Sequence, residues 1–249
     1  MLAQTIDEVI ASLNDIIDDC SQQNSRLGYF PAMYQKVTLR VDEGIRRNRF
    51  EDNRRMEWLD VVFANRYLEA FQLYNAGKRP TRSWALAFEI AKASRPIVIQ
   101  HLLLGMNAHI NLDLGIAAAE VCRGQELESL RNDFFAINEL LAGLFDEVQN
   151  DINKSSPVLH ALDQLGWGAD EALGNFSIRQ ARRSAWDKAH ELHRLPDDEW
   201  GERIESYDQE VAQFASVLCS PFRIINVLTE TINDSETKEP YQIIEELRQ

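Results

Sequence analysis

SRPIVIQHLLLGMNAHINLDLGIAAAEVCRG, residues 94–124, reads as one long apolar helix, opened by Pro96 and closed by Gly124. Five polar side chains interrupt it: His101, Asn107, His109, Asn111 and Asp113. A polar group in an apolar interior is costly unless it finds a partner, so a core helix carrying five of them has a structural or chemical reason to do so. At about 100° per residue, His101, His109 and Asp113 share one side within about 120°, while Asn107 and Asn111 fall near the opposite side. His109 and Asp113 are i,i+4 neighbours, within reach of an imidazole–carboxylate contact. His101 lies about 12 Å further back along the axis. The run Pro96–Leu112 has no formal charge and approaches the length of a bilayer span. Its Gln, two His and two Asn, with Asp113 next, identify it instead as the buried helix of a folded protein.

Working outward, helical spacing dominates and no period-two strand stands out. Thr5-Ile6-Asp7-Glu8 is a capping box, with Val9, Leu13, Ile16 and Ile17 on one face of the helix it opens. Pro31 starts a second helix, and a third runs from about Asn53 to Ala76 with Gly77 as its stop. Trp84–Ala93 is a short fourth helix. Downstream, the spacing predicts helices over Gln125–Ile152, from Ser155 to near Gly166, over Ser177–Arg194, over Asp197–Cys219 and after Pro221. The fold class is therefore all-α: a single-domain multi-helix bundle over residues 1–249, packed around the long buried central helix, with 235–249 as a peripheral tail.

The 249 residues carry a formal charge of −14, which excludes the basic face of a nucleic-acid binder and disfavours docking on an anionic membrane. Three cysteines, odd in number and outside any CxxC, fit a reducing compartment; a cytoplasmic location is expected. No GxSxG, P-loop, GxGxxG or HxE…PCxxC pattern occurs.

Three readings of the central stripe stand side by side. The polar side chains could form a buried hydrogen-bonded network that fixes the packing. They could instead wall a pocket for a small-molecule ligand, with His109 as general acid or base, Asp113 orienting it and His101 nearby. Or His109 and Asp113 could ligate a divalent metal, although HxxxD alone is a weak signal and the cofactor question stays open. Candidate binding residues are Asn107 and Asn111 on the stripe, with Asp60 and Tyr67 on the third helix, where Asp60 falls inside the arc of Met56, Phe63 and Tyr67. Asn65 and Arg66 fall on the opposite flank. Arg179, Arg183, Trp186 and His190 line one flank of a later helix and could cradle an anionic or aromatic group, or simply mark its solvent boundary. Asp187, His190 and His193 have metal-like i,i+3 spacing at a solvated helix end. The arginines between Arg40 and Arg55 are nearly neutralised by neighbouring acids and read as ion pairs. Asp208 is expected to pair with Arg223. Oligomeric state is not legible.

The segment HLLLGMNAHINLDLG (101–115), with WLDVVFANRYLEAF (58–71) and ARRSAWDKAHEL (181–192), resembles a bacterial family of all-helical proteins of unknown function. The likeness runs from about Tyr29 to Ser235, and its H-x7-H-x-N-x-D arrangement is the most distinctive part. The resemblance implies that His101, Asn107, His109, Asn111 and Asp113 form the family's central motif, with Asp60 and Trp186 at flanking positions. It implies no reaction, substrate or cofactor.

Overall fold

The computed structural model of the protein describes residues 2–93, 96–138, 140, 178–219 and 238–248. These form helices, with no strand among them. Helix α1 (Ile6–Gln22) starts as its box predicts, Thr5 Oγ1 accepting the Glu8 amide at 3.2 Å. The return bond is shifted by one residue: the Gln4 amide, not that of Thr5, donates to Glu8 Oε2 at 2.7 Å. Helix α2 (Tyr29–Arg46) begins two residues before Pro31, which sits in the first turn where a missing N–H costs nothing. Helix α3 (Asn53–Asn75) is capped by Asp52, which accepts the Arg55 amide at 3.0 Å, and ends at Gly77, whose φ of 68° lies in the left-handed region.

Helix α4 (Arg82–Ala91) receives no side-chain cap from its own Thr81. Asp208, from a helix far along the chain, does that work: it accepts the Arg82 amide at 2.6 Å, the Ser83 amide at 2.9 Å and Ser83 Oγ at 2.7 Å. The expected Arg223 partner lies outside the described residues, and the groups that satisfy Asp208 are these.

The central helix α5 (Val98–Val121) has an irregular middle. Asn107–Asp113 is wound as a π-helix between regular α-helical stretches. Helix α5 is long and apolar enough to cross a bilayer, yet 89% of its most apolar stretch is buried inside the protein, as a core helix requires. A 3₁₀ turn, Leu127–Leu130, leads into helical residues 131–138. The remainder of the expected Gln125–Ile152 helix lies outside the described residues, as do the short helix ending near Gly166 and the one after Pro221. Helices α6 (Ile178–Arg194), α7 (Trp200–Cys219) and α8 (Pro240–Arg248) complete the described chain.

Around α5, helices α6 and α3 pack on its second half and π-turn, α4 and α7 on its first half and π-turn, and α2 on its first half. Two glycines of α5 admit close approaches of other helices. Gly105 lies against the Phe30 ring, and a Cβ on Gly115 would stand 2.6 Å from the Ala185 carbonyl of α6. The buried apolar residues from Ile97 to Ala108 belong to one cluster and those from Leu112 to Cys122 to a second, so the π-turn lies at their join. The tail expected over 235–249 is a docked helix at its end: Ile243, Ile244 and Leu247 of α8 are buried against α1 and α2.

Candidate functional site

A π-turn widens the helix to i→i+5 bonding and displaces side chains from the α-helical stagger, and such turns concentrate at functional sites. Here it carries both His109 and Asp113, which are 3% and 1% exposed. Asp113 is held from two directions. Arg66 Nε of α3 donates to Oδ1 at 2.8 Å, and the Trp84 indole Nε1 of α4 donates to Oδ2 at 2.7 Å. His109 Nδ1 stands 3.8 Å from Asp113 Oδ2.

The imidazole is enclosed by rings. Phe63 of α3 stacks on it at 3.6 Å between centroids and 11° between planes. Tyr34 of α2 presents an edge at 4.3 Å, Phe30 another at 5.6 Å, and Trp84 lies at 6.1 Å. Burial lowers the His109 pKa; Asp113 works against that shift and Arg66 with it. The imidazole is therefore neutral near pH 7.

Several buried polar atoms of these helices have no hydrogen-bond partner: His109 Nδ1 and Nε2 inside the rings, and Tyr67 Oη and Asp60 Oδ2 on α3, while the Thr38 side chain bears on the Tyr34 hydroxyl. Asp60, Phe63 and Tyr67 share a stripe of α3 through their i, i+3, i+7 spacing, and Tyr34 faces it from α2, its ring 6.2 Å from both Phe63 and Tyr67. Burial pushes the Asp60 carboxyl up to about 7, with the charges of Asp42 and Glu57 adding to the shift. Burial likewise holds the Tyr34 and Tyr67 phenols well above their ordinary range.

Other members of the sequence-derived set lie elsewhere. His101 has surroundings of its own: Nε2 meets the Pro96 carbonyl at 3.1 Å, the Tyr29 ring lies 5.6 Å away, and burial lowers its pKa to about 4. Asn107 Nδ2 donates to the Val211 carbonyl of α7 at 2.9 Å, and Asn111 Nδ2 to Asn107 Oδ1 at 2.9 Å. That face of the helix is a packing network. Lys188 of α6 extends it, donating from Nζ to the Asn111 carbonyl at 2.7 Å.

The expected row on α6 is corrected. Arg179 and Arg183 are exposed, and Trp186 is buried against Phe134 and Phe135, away from His109. The buried arginine is Arg182, which donates to the Phe134 carbonyl and lies over the Phe134 ring. His190 pairs with Glu128 at 2.8 Å, and His193 Nε2 donates to the carbonyls of Cys122 and Gln125. No group of three His, Cys, Asp or Glu suited to a metal occurs among the described residues. At Asp113 both oxygens already accept N–H donors, one of them cationic, which suits an oriented carboxylate better than a metal ligand. Among the described residues, a surface hollow of about 480 Å³ lies beside Asp187 and His190 and another of about 480 Å³ beside Arg123 and Trp200; neither is lined by His101, His109 or Asp113.

Sequence reasoning missed Arg66, Trp84, Tyr34 and Phe30. Arg66 was set aside for its helical angle, yet its long stem carries the guanidinium round to Asp113. Trp84 left no local signal: the Asp208 contacts that fix the two amides before it come from far along the chain.

No curated protein and no solved structure matches the chain. A family profile matches residues 6–221, which takes in helix α1 as well as the segments of the resemblance noted above. With an all-helical architecture and a match over most of its length, the chain belongs to a Family of unknown function (DUF5995).

Proposed function

We propose that the protein handles a small molecule at the enclosure around His109, with His109 as general acid or base and Asp113 as the group that orients it. One observation carries this reading: both ring nitrogens of His109 are buried without a hydrogen-bond partner, with unpartnered Tyr67 Oη and Asp60 Oδ2 on the neighbouring helix α3, while Asn107 and Asn111 on the other face of α5 are matched. Each such group costs about 1–3 kcal/mol relative to a satisfied one, so together they are a poor choice for packing alone. In the tautomer with the proton on Nδ1 facing Asp113, the Nε2 lone pair is left to accept a proton from a ligand. The 3.8 Å separation is of the kind that tightens to a hydrogen bond when a ligand fills an acid–base site. Arg66 and Trp84 hold the carboxylate still, so they act as positioning residues.

The Asn107–Asn111 face supports the structural reading for its own side, because its bonds run to α7 and α6 and not toward the rings. The two readings separate in a ligand screen observed by NMR. Saturable fragments are expected to shift the His109 ring and Trp84 indole resonances, and His109→Ala is expected to abolish their binding. If no fragment moves those resonances, and His109→Ala and Asp113→Asn only lower stability, the small-molecule reading fails.

A further inference from the structure

Glu205, Asp208 and Val211 follow one another at intervals of three along α7 and so form a single row on its surface. Glu205 Oε1 accepts from Arg82 Nη2 of α4 at 3.0 Å. Asp208, 5% exposed, accepts the Arg82 and Ser83 amides and Ser83 Oγ, so both of its oxygens are committed to the first turn of α4. The Val211 carbonyl accepts Asn107 Nδ2 at 2.9 Å, at the residue where the π-turn begins. Trp84 follows Ser83 directly, and its indole holds the last residue of that π-turn, Asp113. One row of α7 therefore fixes the donor side and the acceptor side of the Trp84–Asp113 bond together. The first amides of a helix need acceptors from outside it, and Thr81, which is placed to cap α4, supplies none from its side chain. The start of α4, and with it the place of the indole, thus depends on a carboxylate of another helix.

We propose that Asp208 is a positioning residue for the His109–Asp113 pair, acting from α7 through the first turn of α4 and Trp84. Trp84 Nε1 and His109 Nδ1 lie 2.7 Å and 3.8 Å from the same oxygen, Asp113 Oδ2. The indole therefore decides how much of that oxygen is left for the imidazole. With Asp208 in place, the indole takes Oδ2 and the His109 ring stands off from it. Without Asp208 the Arg82 and Ser83 amides lose their acceptor, the first turn of α4 loosens, and Oδ2 passes from the indole to Nδ1. What the positioned pair does for a ligand rests on the small-molecule reading above; the positioning itself is a property of the free protein.

The test is NMR of the full chain without ligand, on a cycle of Asp208→Ala, Trp84→Phe and the double variant, reading the Trp84 indole N–H and the His109 ring. Asp208→Ala is expected to move the indole N–H upfield, as a weakened bond to a carboxylate does, and the His109 Nδ1–H downfield. On the Trp84→Phe background, Asp208→Ala is expected to leave the His109 ring where Trp84→Phe alone puts it. Asp133→Ala is the control for lost helix-start bonding, because Asp133 accepts the Glu51 and Asp52 amides ahead of α3 at 2.7 and 2.9 Å. It is expected to lower the Tm without moving either resonance. Should Asp208→Ala not fold, Asp208→Asn serves in its place: its amide keeps one acceptor and turns a donor on the other contact, giving the same shifts at smaller size. Unmoved resonances in a folded Asp208 variant overturn the proposal. So does a His109 shift equally large on both backgrounds, or one that Asp133→Ala reproduces. If fragments shift the wild-type His109 ring while the cycle shows no coupling, the small-molecule reading stands and the role of Asp208 falls.

Discussion

At Asp113 the two carboxylate oxygens have different neighbours, Arg66 on Oδ1 and Trp84 on Oδ2, so replacing this residue leaves a cation and an indole N–H without an acceptor. Asp113→Ala is expected to cost about 3–5 kcal/mol in chemical denaturation, as breaking a buried ion pair does. Tyr67 should behave oppositely. Its hydroxyl has no partner to lose, so Tyr67→Phe is expected to leave stability unchanged or raise it by about 1 kcal/mol in the same assay. A loss of stability on that scale would mean the hydroxyl belongs to a satisfied network. Asp60 and His101 give the protein opposing responses to acid. The Asp60 pKa is raised to about 7 in the folded state, so its contribution to stability falls as pH climbs from the ordinary carboxyl range towards 7. The His101 pKa is lowered to about 4, and its contribution rises with pH between about 4 and the ordinary histidine value. Denaturation across pH is therefore expected to give a steeper rise with pH in Asp60→Asn than in the wild type, and a flatter or reversed one in His101→Gln.

Among the elements, regular helices were legible because their signals are local: Thr5 with Glu8, Gly77 and Gly124 at left-handed φ, and apolar residues at helical intervals. The π-turn was not. Its sequence keeps an apolar background on both sides, and a 100° projection has no way to register the wider winding. The α4 cap was illegible for a related reason: Asp208 is 125 residues from Ser83, and no local pattern joins them. Both elements have measurable supports. Lys188→Met leaves the Asn111 carbonyl without its donor and is expected to cost about 1–3 kcal/mol, with faster amide exchange confined first to 107–113. Asp208→Ala removes two backbone bonds at the start of α4, and is expected to alter the environment of Trp84 and with it the hold on Asp113.

Over the whole molecule, the all-helical class and the primacy of the central helix followed from composition and periodicity. The location of the candidate site followed from polarity in an apolar run. What composition could not supply was the set of rings around His109, because Phe30, Tyr34, Phe63 and Trp84 come from three other helices and each looks like ordinary core in its own segment. The same limit explains the α6 row: a helical wheel ranks Arg179 and Arg183 beside Trp186, but only packing decides that Arg182 turns inward. Helix α5 threads both apolar clusters, with Ile110 touching each. Heat should therefore not melt one half while sparing the other: the spine is common property, and differential scanning calorimetry is expected to record a single peak whose van't Hoff and calorimetric enthalpies agree.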